Sequence, residues 1–238
     1  MKKQQAETLL MLPVFNEAET IESVLKEIQH YYSGDILLVD DGSTDSSVKK
    51  ARALKLDKVE IIYHKSNLGY GQSIINGFDY SIKNNYKTLI TIDCDAQHEP
   101  AFIPEFIKAM PQADIVSGSR YLLASTTNNR APSDRIEINQ IITGQLNSIT
   151  DYTLTDAFCG FKAYKVDALK NIQLDEMGYG MPLAFLVQAC CKKLSLIEIP
   201  VTRIYYHLER SFGPGLDEKE SRLKYYQNVI KKEVQRCQ

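Results

Sequence analysis

The sequence predicts an α/β fold, a mainly parallel central sheet flanked by helices in a single domain. Short apolar runs, too brief to be helices, alternate with segments of helical period, the pattern of right-handed βαβ units. Each early run ends in a polar, turn-forming cluster. The 238 residues are 44% hydrophobic, enough for one sizeable core, and no repeat, low-complexity tract or linker divides them.

Leu9–Phe15 is the first strand, closing on Pro13-Val14-Phe15. Asn16 is placed to cap the next helix, Glu19 completes a capping box, and Ala18, Ile21, Leu25 and Ile28 recur at helical spacing. Asp35–Val39 is the second strand. The turn Asp40-Asp41-Gly42-Ser43-Thr44-Asp45 follows it, then a helix from near Ser46 carrying Val48, Ala51 and Leu54. Val59–Tyr63 is the third strand, and Asn67-Leu68-Gly69-Tyr70-Gly71 leads into an amphipathic helix with Ile74, Ile75 and Phe78. Leu89–Ile92 runs directly into Asp93-Cys94-Asp95-Ala96-Gln97-His98, and Ile115–Val116 is a fifth strand.

The second half is less regular. Ser125–Arg135 reads as a polar loop over the site, and Asp134 and Glu137 as caps of a helix through Ile138, Ile141, Ile142 and Leu146. A helix over Met181–Lys193, a strand over Leu196–Pro200 and an amphipathic closing helix over Lys219–Val234 complete the chain.

A net charge of −2 argues against a general binder of nucleic acid. Cys94, Cys159, Cys190, Cys191 and Cys237 are odd in number and lack Cys-x-x-Cys spacing, so they read as reduced, mostly buried thiols of a cytoplasmic protein. The first residues run into a strand too soon for a signal peptide, and no apolar run approaches the ~20 residues of a membrane span. The expectation is therefore a soluble protein, with any membrane contact peripheral.

In a parallel sheet, ligands sit at the carboxyl ends of the strands. Asn16-Glu17, Asp40-Asp41, Asn67 and Asp93–His98 all fall at that edge, so four loops far apart in sequence face one crevice. Oxygen ligands at Asp93, Asp95 and Gln97, alternating as the chain leaves a strand, can converge on one hard cation such as Mg2+ or Mn2+. Alone, the Asp-x-Asp pair reads equally as a metal site or a solvated turn, and its place beside three polar loops favours the metal. The first strand leads into no Gly-x-Gly-x-x-Gly turn, and there is no Walker lysine loop. A metal-bridged diphosphate fits better, with Asp40 or Asp41 available to a base or ribose.

Pro-Val-Phe-Asn-Glu at 13–17, Val-Asp-Asp-Gly-Ser-Thr-Asp at 39–45, Asn-Leu-Gly-Tyr-Gly at 67–71 and Asp-Cys-Asp-Ala-Gln-His at 93–98 resemble family-2 glycosyltransferases of the GT-A fold. The match is nearest to the dolichyl-phosphate mannosyltransferase-like branch. It continues through Gly-Ser-Arg-Tyr at 118–121, Thr-Asp-Ala-Phe-Cys-Gly-Phe-Lys at 155–162 and Arg-Ser-Phe-Gly at 210–213. The resemblance implies a nucleotide-sugar-binding half over about 8–120, an acceptor-side half over about 121–215 and a C-terminal helix over about 216–238.

It further implies inverting transfer from a nucleoside diphosphate sugar (GDP-mannose or a UDP-hexose) to polyprenyl phosphate. Pro13, Asn16, Glu17, Asp40 and Asp41 would line the base and ribose pocket, with Asn67 and Gly71 alongside the nucleotide. Asp93, Asp95 and Gln97 would surround the metal, with Asp95 catalytic through it. Arg120, Arg135, Arg210 and Ser211 stand where that branch binds the acceptor phosphate, a task suited to the planar guanidinium, and Arg135 would be catalytic there.

A hydroxyl acceptor would need a base, for which Asp156 is the candidate, whereas with a phosphate acceptor Asp156 would orient groups or brace its loop. Two departures widen the acceptor choice to a hydroxyl. Phe212 follows Ser211 where lipid-phosphate transferases often carry lysine, and a polar helix stands where many carry membrane helices. A haloacid dehalogenase-type phosphatase is disfavoured, because the pair follows four strands and Gln97 takes the place of a Thr or Val. A non-catalytic nucleotide-sugar-binding relative would keep Asp40, Asp41 and the fold but need no acceptor site.

Overall fold

The computed structural model describes residues 7–122, 131–204, 212–213 and 215–237. Arg210 and Ser211 lie outside the described residues, as do most of the 125–135 loop and the aromatic residues Tyr205 and Tyr206.

The first half is the expected alternation: β1 (Thr8–Val14), α1 (Ile21–Tyr31), β2 (Asp35–Asp40), α2 (Ser47–Ala53), β3 (Val59–Tyr63), α3 (Tyr70–Lys83) and β4 (Thr88–Thr91). Next come α4 (Ile103–Ala109), flanked by 3-10 turns, β5 (Ile115–Ser119) and α5 (Ser133–Ile149). The chain closes with β6 (Lys162–Lys165), the single-turn α6 (Val166–Leu169), α7 (Met181–Cys191), β7 (Leu196–Pro200) and α8 (Lys219–Cys237).

The seven strands form one sheet in the order β3-β2-β1-β4-β6-β5-β7. All pairs are parallel except those of β6, which runs antiparallel to β4 and β5. Successive side chains of a strand point to opposite faces, and both faces are covered. Leu10, Leu12 and Val14 pack with Ile21, Leu25 and Ile28 of α1 and Phe106 of α4. Leu9 and Met11 pack on the other side with Phe78 of α3, Leu146 of α5, Phe185 of α7 and Ile230 of α8. Each such side chain, fully withdrawn from water, contributes roughly 1.5–3 kcal/mol.

Four expectations are corrected. Asn16 does not cap α1: the cap position is Thr20, with no side-chain cap bond, and Asn16 takes a positive φ of 55° and turns its Oδ1 to accept from Thr44 N at 2.9 Å. Asp134 and Glu137 lie inside the first turns of α5, whose cap position is Pro132. The β6 strand, Lys-Ala-Tyr-Lys, was not expected, because four residues wedged between β4 and β5 carry too little periodicity to be read. Finally, Cys191 and Cys237 are joined as a disulfide, against the expectation of reduced thiols throughout. The sequence separation of 46 hides a pairing that arises only because α7 and α8 run side by side in the same direction. Tyr225 Oη accepts from Gly180 N at 2.9 Å near their start, and Gln188 Nε2 donates to Glu233 Oε2 at 2.7 Å further on.

Candidate active site

The sheet order dictates where a ligand goes. The chain steps outward from β1 to β2 to β3, then returns to β4 on the other side of β1, so the connections diverge between the carboxyl ends of β1 and β4. A cavity of about 850 Å³ opens there. Pro13, Asn16, Glu17, Asp41, Asn67, Asp93, Asp95, Gln97, Arg120 and Arg135 line it, which brings together most of the expected site residues. Asp40, Gly71 and Asp156 are not on its wall.

The wall after β1 and β2 is held by backbone-directed carboxylates. Asp40 is buried, and its Oδ1 accepts from Ser43 N at 3.1 Å, shaping the turn. Asp45 accepts from Ala18 N at 3.0 Å and Ser47 N at 2.8 Å, tying the β1 loop to the start of α2. Asp41 continues β2 and holds the glycine loop: Oδ1 accepts from Leu68 N at 2.8 Å and Oδ2 from Gly69 N at 2.9 Å. The positive φ of 107° at Gly69 needs glycine. Gly71 is small for a different reason: a Cβ there would stand 2.7 Å from the Met177 carbonyl carbon.

The acidic cluster follows β4. Asp93 receives Tyr70 Oη at 3.4 Å, and its Oδ2 lies 3.2 Å from His98 Nε2. Asp95 Oδ1 accepts from Gln97 N at 3.1 Å across Ala96, whose φ is 60°. Gly160 backs the cluster: a Cβ there would collide with Asp93 Oδ2 and stand 2.7 Å from its Cγ. No group of three His, Cys, Asp or Glu suited to a metal occurs among the described residues. Two carboxylates and an amide oxygen are nevertheless a fitting partial set for Mg2+ or Mn2+, which keep water and take substrate phosphate oxygens. Cys94 is buried at the strand end, and His98 packs its ring against Phe161 at 5.5 Å between centroids.

Guanidiniums line the same cavity. Arg120 grips Asp156 with two bonds, Nε to Oδ2 at 2.6 Å and Nη2 to Oδ1 at 2.9 Å. Asp156 is 1% exposed and also accepts from Phe158 N at 3.1 Å. Burial works to raise its pKa, but the charge and hydrogen bonds of Arg120, with Lys162 beyond, outweigh it and hold the carboxyl below its ordinary value. Glu198, on β7, accepts from Thr155 N at 2.8 Å and Asp156 N at 3.0 Å, so the whole 155–162 loop is fastened to the sheet. Burial pushes the Cys159 thiol in that loop up to about 12, with nearby Asp156 adding to it, which leaves it a packing group.

Arg135, on α5, lies over the Phe212 ring at 4.9 Å, and Arg222, on α8, lies over the same ring at 4.5 Å. Arg222 is buried, ion-pairs with Asp134, and donates to the Leu216 carbonyl at 2.8 Å. Sequence reasoning missed it, since an arginine in a polar closing helix reads as a solvated cation until α8 is placed against α5. Phe158, Tyr179 and Tyr226 were missed likewise, and line the same end of the cavity.

A family model described as glycosyl transferase family 2 matches residues 10–173. Polyprenol monophosphomannose synthase of Mycolicibacterium smegmatis is 28% identical over 225 residues, covering 91% of this chain and 84% of that protein. Undecaprenyl-phosphate mannosyltransferase of Micrococcus luteus is 28% identical over 213 residues, covering 87% of each. Among solved structures, glucosyl-3-phosphoglycerate synthase of Mycobacterium tuberculosis, in complex with Mn2+, UDP and glucosyl-3-phosphoglycerate, superposes with a TM-score of 0.72 at 17% identity. That match covers 98% of this chain and 81% of the other, and speaks to the fold.

Proposed function

The chain belongs to glycosyl transferase family 2, and from that premise we propose that it transfers a hexosyl group, with inversion, from a nucleoside diphosphate sugar to a polyprenyl phosphate. One observation carries the reading: the cavity at the switch point is lined both by paired carboxylates and by guanidiniums with aromatic rings. The carboxylates suit a metal-bridged diphosphate, and the guanidiniums and rings suit an anionic, lipid-linked acceptor. The relatives named for polyprenol phosphate and undecaprenyl phosphate support the acceptor.

On this reading Asp41, with Pro13, Asn16, Glu17 and Asn67, receives the nucleoside, and Asp93, Asp95 and Gln97 hold Mg2+ or Mn2+. A metal held there would offset charge gathering on the departing diphosphate. Arg120 and Arg135 face the phosphates, and Phe158, Tyr179, Phe212 and Tyr226 give the prenyl chain an apolar seat. A phosphate oxygen forms the new bond to the anomeric carbon as the bond to the diphosphate breaks on the opposite side. That nucleophile is already anionic and needs no base. The locked state of Asp156 agrees: it orients Arg120 rather than taking a proton. No helix among the described residues is long and apolar enough to cross a membrane, and on our reading the lipid is met by peripheral contact at the cytoplasmic face.

The test is transfer itself. The protein is incubated with GDP-mannose, UDP-glucose or UDP-N-acetylglucosamine, each with Mn2+ and undecaprenyl phosphate, and the lipid fraction is analysed by mass spectrometry. A lipid-phosphate-sugar product that disappears on chelation is expected. Transfer only to hydroxyl acceptors, or no transfer from any donor, would sink the reading.

A further inference from the structure

Behind Asp41 lies a chain of side chains that the proposed reaction leaves without a role. His64, the first residue after β3, is 2.6 Å from Asp41 Oδ1 through Nδ1, and both side chains are 5% exposed. Its Nε2 is 2.8 Å from Asn76 Nδ2, and Asn76 Oδ1 accepts from Gln72 Nε2 at 2.7 Å. Asn76 and Gln72 stand one turn apart on α3, so the chain links the ends of β2 and β3 to a helix.

The donor and acceptor roles follow from chemistry. The Asp41 carboxylate only accepts, so Nδ1 carries the proton. With the Asn76 oxygen engaged by Gln72, its NH2 group faces Nε2, which therefore accepts. The ring is held in one tautomer and one orientation, as a second group commonly does for a functional histidine. The consequence falls on Asp41. Its Oδ1 is filled by His64 and Leu68 N, while among the described residues Oδ2 holds only Gly69 N. One lone-pair direction on the cavity-lining carboxylate is thereby reserved.

We propose that His64 is a positioning residue for nucleoside recognition: fixed by Asn76 and Gln72, it locks the Asp41 carboxylate so that Oδ2 meets a hydrogen-bond donor of the nucleoside, a base N–H or a ribose hydroxyl. This rests on the reading of Asp41 as the nucleoside contact. The relay sets the affinity for the nucleoside end of the donor and leaves the diphosphate end alone.

The experiment measures calorimetric affinities of UDP, GDP and inorganic pyrophosphate, each with Mn2+, for the whole chain and its variants. His64→Ala should weaken the nucleoside diphosphate by about tenfold, the scale of one hydrogen bond to a charged group, and leave pyrophosphate within about twofold. His64→Asn, whose amide offers an N–H near the position of Nδ1, should recover most of the loss. Asn76→Leu, which keeps the imidazole but frees its orientation, should fall between the two and serves if His64→Ala does not fold. Unchanged nucleotide affinity in both His64→Ala and Asn76→Leu overturns the proposal. So does a parallel loss of pyrophosphate, which would mark a structural role. A wild-type protein that binds pyrophosphate but neither UDP nor GDP would instead remove the nucleoside reading of Asp41, and the relay's purpose with it.

Discussion

Asp156 decides between two kinds of catalyst. A general base must be reachable and titrate near working pH. This carboxylate is buried, gripped twice by Arg120, and held below its ordinary pKa despite burial. Because its folded pKa is depressed, its stabilising contribution is present above the unfolded carboxyl value and is lost as pH falls through the folded one. Asp156→Asn strands the Arg120 and Lys162 charges, so a loss of about 3–5 kcal/mol is expected in denaturant titration at neutral pH. The gap to wild type should narrow as pH drops below about 4. A fully stable Asp156→Asn protein with no activity would restore the base. Gly160 makes the complementary case on the metal side. Gly160→Ala sets a methyl against Asp93, and should lower the Mn2+-dependent affinity for nucleoside diphosphate by at least about tenfold, with little change in metal-free binding measured by calorimetry. Such a glycine is invisible as a site residue in sequence, because what it makes room for lies 67 positions away, the difference between residues 160 and 93.

Among the elements, α8 carries the least expected weight. Its polar sequence reads as a closing cover, yet Arg222 and Tyr226 face the cavity, and its last turn is tied to α7 by Cys191–Cys237. Arg222 reaches Asp134 on α5 and the 216–217 carbonyls, and shares Phe212 with Arg135. Arg222→Met keeps most of the side chain's bulk but frees Phe212 and Arg135 from their fixed relation. The acceptor KM should rise about tenfold or more, whereas the donor KM stays within about twofold, the cost of a misplaced positioning group. Steady-state assays varying each substrate separately check this, and a rise confined to the donor KM would refute it. The contrast with β1 to β4 explains what could be read in advance. Of those strands β1, β2 and β4 are largely buried and β3, at the sheet edge, is half-buried, yet all four announce themselves as apolar runs, and each delivers its polar cluster at a predictable end. The other side of the cavity depends on how α5, α7 and α8 dock, and on the antiparallel β6. None of these has a local signature that fixes its neighbour.

Over the whole molecule, the cavity is a meeting point of distant segments: the loops after β1, β2, β3 and β4, the start of α5 and the middle of α8. The two core layers flank a single sheet, and the cavity is walled by segments drawn from across it, so a bound ligand is tied to the folded state as a whole. The β1–β4 side of the cavity was legible because the sheet order reverses between β1 and β4, where a crevice is expected, and Asn16, Asp41, Asn67 and Asp93 do line it. Ligand and fold stability are therefore coupled globally. A nucleoside diphosphate at about 100 times its dissociation constant adds about 2.7 kcal/mol to unfolding. For a chain of this size that shifts the melting temperature by about 5–10 °C. With Mn2+ present, differential scanning fluorimetry should show that shift for the cognate one of GDP and UDP and a smaller one for the other. Chelation should abolish it if Asp93, Asp95 and Gln97 bind the diphosphate through a metal. A shift that survives chelation would mean that the carboxylate wall meets the nucleotide without metal, and the assignment of the acidic cluster would fall while that of Asp41 stood.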